Sequence, residues 1–367
     1  MSTSPRADVP LGDGPDDGLD TWIETTRRLL AVPSVVGDER PFLVHLEREL
    51  TGLGVPFRAY DDRLEAGGGD PAAGVVSVHV DRHGLTCTGP DELEYAAFVT
   101  RRAGDAPPDS VSRELIARVA ARFEGQPVVA YQPWTGDVIG RGVIREAALV
   151  EAESPIRFRA EGLAHLAPGV PVAYATPPEA TGEVLRGQLD NVLGVSLALE
   201  LLRRGFPGTV LFTTQEECGR SWRFVVEHFR RRGGGTDRLL VLDTSPFPDE
   251  AAAAEWDVVL RRSDQTAAFA PAISAEVAAA AADLGLRAIV KDEVLRAENR
   301  EREARGEPPR SLGRTELGRV IDATDGAISG TTIQLPTSGY HTPRETVTRR
   351  SMAATLALLE RLLGLGG

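Results

Sequence analysis

Cysteine is scarce in this 367-residue chain: Cys87 and Cys218 are the only two, and they stand far apart. Two isolated thiols do not make a disulfide framework, which points to a reducing, cytoplasmic setting. Lysine is scarcer still, because Lys291 is the sole one and every other basic residue is arginine. Positive charge is in deficit overall, with a net charge of −13, so the basic footprint of a nucleic-acid binder is missing. No apolar run approaches the roughly 20 residues of a membrane span. The opening stretch, MSTSPRADVPLGDGPDDG, has no apolar core of a secretory signal; its Gly, Pro and Asp content predicts a disordered tail over 1–18. What is present, 42% hydrophobic and 26% charged residues, describes a soluble globular chain long enough for two domains.

Two amphipathic helices come first, in DTWIETTRRLLAV and RPFLVHLERELTGLG, followed by a strand, GVVSVHVD. From about residue 90 to 182 the texture changes. One helix, VSRELIARVAARF, lies among strand-like pieces densely punctuated by Pro and Gly. After that, helix and strand alternate to residue 367. The pattern predicts an α/β fold: a three-layer domain with a central, mostly parallel sheet, built from 19–89 and 183–367. The segment 90–182 is then an inserted, smaller β-rich domain. The charge run RAENREREARGEPPR, 296–310, reads as a solvated helix or mobile loop, and the longer segment 296–319 as a lid or an interface element.

In open α/β sheets ligands bind beyond the carboxyl ends of the strands. The predicted strands deliver His79 and Asp81 (VHVD), Glu216 and Glu217 (TTQEECG), Asp243 (VLDTSP) and His341 (GYHT) to that edge; Asp190 (GQLDN) precedes the next helix. Each alone has a bland reading, such as a helix cap for Asp190 or chance spacing for His-x-Asp. Together they form a set of metal ligands and potential bases. His45, His165 and His228 have no role in it, and His83 lies beside it with its role open.

The motifs AVPSVVGDE, VHVDRHG, GQLDN, TTQEECG, LDTS and GYHTPRE occur in the order and spacing of one family. The chain resembles the di-zinc aminopeptidases of the glutamyl-aminopeptidase and tetrahedral-aminopeptidase type, within the co-catalytic zinc peptidase superfamily. The resemblance spans nearly everything after residue 20. It implies two divalent metal ions per subunit, zinc first, with cobalt or manganese as alternatives. His79, Asp190 and Asp243 would hold one; Asp190, Glu217 and His341 would hold the other, with Asp190 bridging. Asp81 would orient His79, and Glu216 would be general base to a water between the metals. The implied activity is release of the N-terminal residue of short peptides. The implied assembly is a homo-oligomer, from a dimer to a dodecamer, formed through the insertion or its surroundings; the charge and hydropathy above leave no nucleic acid or membrane partner.

The segment CGRSWRF departs from the family's small-residue pattern after the Glu pair. Arg220 either favours an acidic substrate side chain or is a solvated helix-start residue. Tyr340 and Arg344 flank His341 as possible substrate contacts, and Cys218 reads as packed rather than reactive. The altered segment keeps a related di-metal amide hydrolase open, a deacylase or small-metabolite amidohydrolase. A catalytically inert binding protein is the remaining alternative.

Overall fold

The computed structural model describes residues 17–102, 113–149 and 156–365. Most of the tail assigned to 1–18 lies outside the described residues. Asp17 and Gly18, however, already open the first helix, Asp17–Leu30.

Four parallel strands form the middle of a large sheet, ordered Thr209–Thr213, Val75–His79, Thr236–Phe247 and Ile328–Ser338. Antiparallel strands extend both edges. Alternation along the strands explains the layers. Val210, Phe212, Leu240 and Leu242 enter one core, with the helices Asp17–Leu30, Arg40–Gly52, Val192–Arg203 and Arg349–Leu363. Their neighbours Leu211, Leu239 and Val241 enter a second core on the opposite face, with the helices Trp222–Arg232 and Glu316–Ala323. Successive strand side chains point to opposite faces, so one apolar run feeds two cores.

The helix Val192–Arg203 is buried at all but its last residue. Its near-continuous apolar sequence fits a helix packed between the sheet and the Asp17–Leu30 helix, where Trp22 donates to Ser196 at 2.7 Å. Truncating Leu197 there would cost about 2–5 kcal/mol.

The β-rich unit is a closed six-stranded barrel with its own core, including Leu93, Phe123, Phe158 and Val172. Its first strand, Leu85–Gly89, begins before residue 90, and its last is Pro171–Tyr174. The strand Glu179–Thr181, assigned to the insertion, already belongs to the large sheet. The barrel therefore leaves the sheet directly after the Val75–His79 strand. The segment 296–319 runs from the helix Lys291–Ala304 through a loop, whose residues Arg310–Thr315 face the cavity described next, into the first turn of Glu316–Ala323.

Candidate metal centre

Because the central strands are parallel, their carboxyl ends meet at one edge. His79 closes its strand, Asp243 lies within Thr236–Phe247, and Glu216 and Glu217 follow Thr209–Thr213. His341 sits in the turn after Ile328–Ser338. Asp190 stands just before the Val192–Arg203 helix, but Asn191 is that helix's cap, accepting from the Gly194 amide at 3.1 Å. Asn191 also donates to the Leu242 carbonyl at 2.8 Å. The capping role is thus filled by the neighbour, and the Asp190 carboxylate is left for the cleft.

That carboxylate divides its oxygens. Oδ1 lies 3.3 Å from His79 Nε2, and Oδ2 lies 3.3 Å from His341 Nε2. Asp243 Oδ1 lies 3.6 Å from His79 Nε2, and Glu217 Oε2 lies 3.7 Å from His341 Nε2. Ligands about 2.0–2.1 Å from a tetrahedral metal stand about 3.4 Å apart, so both sets have the spacing of atoms facing a common ion. His79 Nδ1 lies 3.2 Å from the Asp81 backbone carbonyl; donation there leaves Nε2 with its lone pair toward the carboxylates.

Asp81 is fully buried and does more than face His79. Its carboxylate, 3.6 Å from His79 Nδ1, accepts the backbone amides of Glu216 and Glu217 at 3.0 and 2.9 Å. The backbone at this pair is a turn, so it does not continue the preceding strand. Gln215 is left-handed at φ 62°, and residues 216–219 form a turn closed by the Gly219 amide donating to the Glu216 carbonyl at 2.6 Å.

Electrostatics show what the cluster needs. Burial, opposed by His79 and reinforced by the Asp243 and Asp81 charges, pushes the Glu216 carboxyl up to about 8. Burial and the Asp190 charge push Glu217 well above its ordinary value. Burial also opposes ionisation of Asp190, but His341 and His79 outweigh it and hold that carboxyl well below the usual range. Burial holds His341 down at about 4, so it is neutral at pH 7. Burial disfavours a charged His79, but Asp190, Asp243 and Asp81 outweigh it and hold that imidazole well above its ordinary value. One imidazolium beside several carboxylates and a neutral His341 leaves a dry site short of positive charge. Buried Asp190 Oδ1, Glu217 Oε1 and His83 Nε2 have no hydrogen-bond partner. The donor set fits divalent cations.

Four residues join the site that motif reading did not assign. Glu345, in GYHTPRE, accepts the Asp190 amide at 2.8 Å and the His341 amide at 2.6 Å. Glu316 lies below the Glu pair, accepting from Ser77 at 2.5 Å and Thr213 at 3.0 Å. Arg122 reaches in from the barrel helix Arg113–Phe123, 3.3 Å from His341 Nδ1. His83 stands 2.7 Å from Glu217. The four-residue spacing of the two histidines in HVDRH was the only signal for His83; nothing in the sequence pointed to Arg122.

The centre opens into a cavity of about 450 Å³. Beyond the ligands and Glu216 its wall is cationic, with Arg118, Arg122, Arg261, Lys291, Arg310 and Arg314. Lys291 donates to Ser245 at 2.7 Å, and no carboxylate pairs with it among the described residues. Burial, with Arg261 and Arg310 adding, depresses it to about 7. Tyr340 lines the cavity and packs on His341, ring centroids 3.5 Å apart. Arg220 and Arg344 do not line it. Arg220 donates to the Thr100 carbonyl at 3.3 Å, and Arg344 pairs with Glu179 at 3.5 Å. Cys218 is buried, as expected.

No family model matches the chain, and no curated protein matches it. Solved structures do. An aminopeptidase from the archaeon Desulfurococcus kamchatkensis superposes with a TM-score of 0.67 at 16% identity, over 95% of this chain and 98% of that one. A TET aminopeptidase from a marine-sediment Thaumarchaeota archaeon gives 0.67 at 15% identity, over 94% and 96%. The TET1 peptidase of Pyrococcus horikoshii, which can assemble into a tetrahedron or a large octahedral shell, gives 0.64 at 15%, over 93% and 98%. At this identity the likeness establishes a shared fold across nearly the whole of each chain.

Proposed function

We propose that this chain is a metal-dependent aminopeptidase that removes the first residue of short peptides. The observation that carries the reading is one carboxylate, Asp190, facing two ligand sets at once, with Glu216 beside them. His79, Asp190 and Asp243 would hold one divalent ion, and Asp190, Glu217 and His341 the other. Zinc is the first choice, and such carboxylate-rich sites also accept cobalt or manganese. Two ions bound there would acidify water and polarise the scissile carbonyl.

The chain's own groups supply the rest. Glu216, desolvated and outside both ligand sets, takes the proton of the attacking water and returns it to the leaving amine. Asp81 holds the turn that aims Glu216 and Glu217. Glu345 fixes the backbones of Asp190 and His341. Lys291, with Arg261 behind it, favours a substrate whose first side chain is acidic. The strand repeat puts Ser245, its hydrogen-bond partner, about 7 Å beyond Asp243, the reach of such a side chain from the scissile bond.

The barrel would serve oligomerisation and substrate access. It contributes Arg118 and Arg122 to the cavity wall and exposes Trp134. Assemblies of the structurally similar TET1 peptidase support a homo-oligomer. The two unpaired thiols support a cytoplasmic setting, and no helix among the described residues is long and apolar enough to cross a membrane.

The test is product release from free and N-acetylated short peptides, with added zinc, cobalt or manganese and with chelator. Chelator-sensitive release of the first residue from free peptides alone is expected. Release from blocked substrates only would replace this reading with a deacylase, and no turnover of any amide would leave an inert binder.

A further inference from the structure

We propose that His83 is a fourth protein ligand at the position formed by Asp190, Glu217 and His341, so that the two halves of the centre differ in kind. One half would be a closed four-ligand site. The other, with His79, Asp190 and Asp243, would keep an open position. The inference rests on the metal centre proposed above and adds a residue that the family resemblance does not carry over.

Geometry is the first argument. His83 Nε2, Glu217 and His341 each offer one ligand atom, and these atoms lie within 4.8 Å of one another. His83 Nε2 stands 2.7 Å from Glu217 Oε2 and has no hydrogen-bond partner among the described residues, so a ligand atom lies uncommitted beside that carboxylate. The His83 and His341 rings pack with centroids 3.7 Å apart, which brings two imidazoles to the same carboxylate.

The other ring nitrogen gives the second argument. His83 Nδ1 is hydrogen-bonded to the Tyr95 hydroxyl, and the two rings stack at 5.4 Å with planes 15° apart. Tyr95 is itself wedged by Phe98 and Phe123. A ligating histidine characteristically has its remote nitrogen engaged in this way, which fixes the tautomer and the ring. His83 is buried, and its Nε2 has no hydrogen-bond partner among the described residues. A buried imidazole with one nitrogen tethered and the other unpaired is costly unless something completes it.

The chemical consequence is asymmetry. Four protein ligands characterise closed, tightly held zinc sites, and three characterise sites that keep a position for water or substrate. The tight ion would sit at His83, and the exchangeable one at His79.

Metal-free full-length protein is titrated with zinc and, separately, with cobalt, following stoichiometry by elemental analysis and the visible absorption of cobalt. Two binding steps of unequal affinity are expected, the tighter giving the intense band of four-coordinate cobalt. His83→Ala and the bulkier His83→Gln should each weaken the tight step at least about 100-fold, leave the weak step in place and abolish that band. Tyr95→Phe should weaken the same step by about 10–100-fold. Two steps of wild-type affinity and an unchanged cobalt spectrum in both His83 variants would overturn the inference while leaving the metal centre standing. A wild-type protein that binds no metal would overturn both.

Discussion

The backbone amide of Glu217 donates to Asp81 Oδ2 at 2.9 Å, and the preceding amide, Glu216, donates to the other oxygen of the same carboxylate. One buried side chain thereby sets the direction of both glutamates. Asp81→Asn replaces an acceptor with a donor facing one amide and should cost about 1–3 kcal/mol. The loss should appear in chelator as well as with metal, because the defect lies in the turn. Thermal melts under both conditions check it; wild-type stability in chelator would show that the turn holds without Asp81.

Glu216→Gln keeps the shape and both ligand sets. Metal content should be unchanged and kcat should fall by about 10²–10⁴-fold. Near-normal turnover with full metal loading would remove Glu216 from the role of base.

Glu345→Gln leaves either the Asp190 or the His341 amide facing a donor. Metal affinity should drop about 10–100-fold, in the range found for residues that hold ligands in place. Equilibrium dialysis against a chelator of known strength is the measurement, with chelator-treated protein as the stability control.

Lys291→Met keeps the length of the side chain and removes its charge. A charged hydrogen bond to substrate is worth about 1.5–3 kcal/mol. The ratio of kcat/KM for a glutamate-first over a leucine-first peptide should therefore fall by about 10–100-fold. An unchanged ratio would assign the cationic wall to something other than the first side chain.

Burial raises the Asp38 carboxyl to about 6, against 3.8 for an exposed aspartate. The folded state then binds more protons than the unfolded state between those values. Stability falls as pH rises through that window, by up to about 3 kcal/mol. Asp38→Asn should accordingly raise the melting temperature at pH 7.5 and give little gain at pH 4. Equal gains at both would assign the effect to packing instead of charge.

The ligand edge was legible because parallel strands must end together, and the periods of GTVLFTT and RLLVLD mark such strands without an alignment. The two cores were implicit in the same runs, since alternation sends Leu240 and Leu239 to opposite faces. The turn at Glu216 and Glu217 was not legible, because Gln215 gives no signal of a left-handed backbone and the holding group, Asp81, is remote in sequence. The cap reading of Asp190 fails because Asn191 fills that role, accepting from the Gly194 amide, which only the folded contacts reveal. Arg122 could not be inferred, because the docking of a barrel helix against His341 depends on how two separately folded cores meet.

Glu345 binds the backbone of Asp190 with one oxygen and that of His341 with the other. Its strand, Glu345–Thr348, pairs with Val184–Gly187 just upstream of Asp190. During synthesis, then, a chain that has emerged through residue 340 already carries His79, Asp190, Glu217 and Asp243 but neither His341 nor the carboxylate that seats it. Such a nascent chain is a cleft with its hinge pin missing. The proposed metal centre is therefore completed only when this last segment is in place, beyond the barrel and the central strands in chain order.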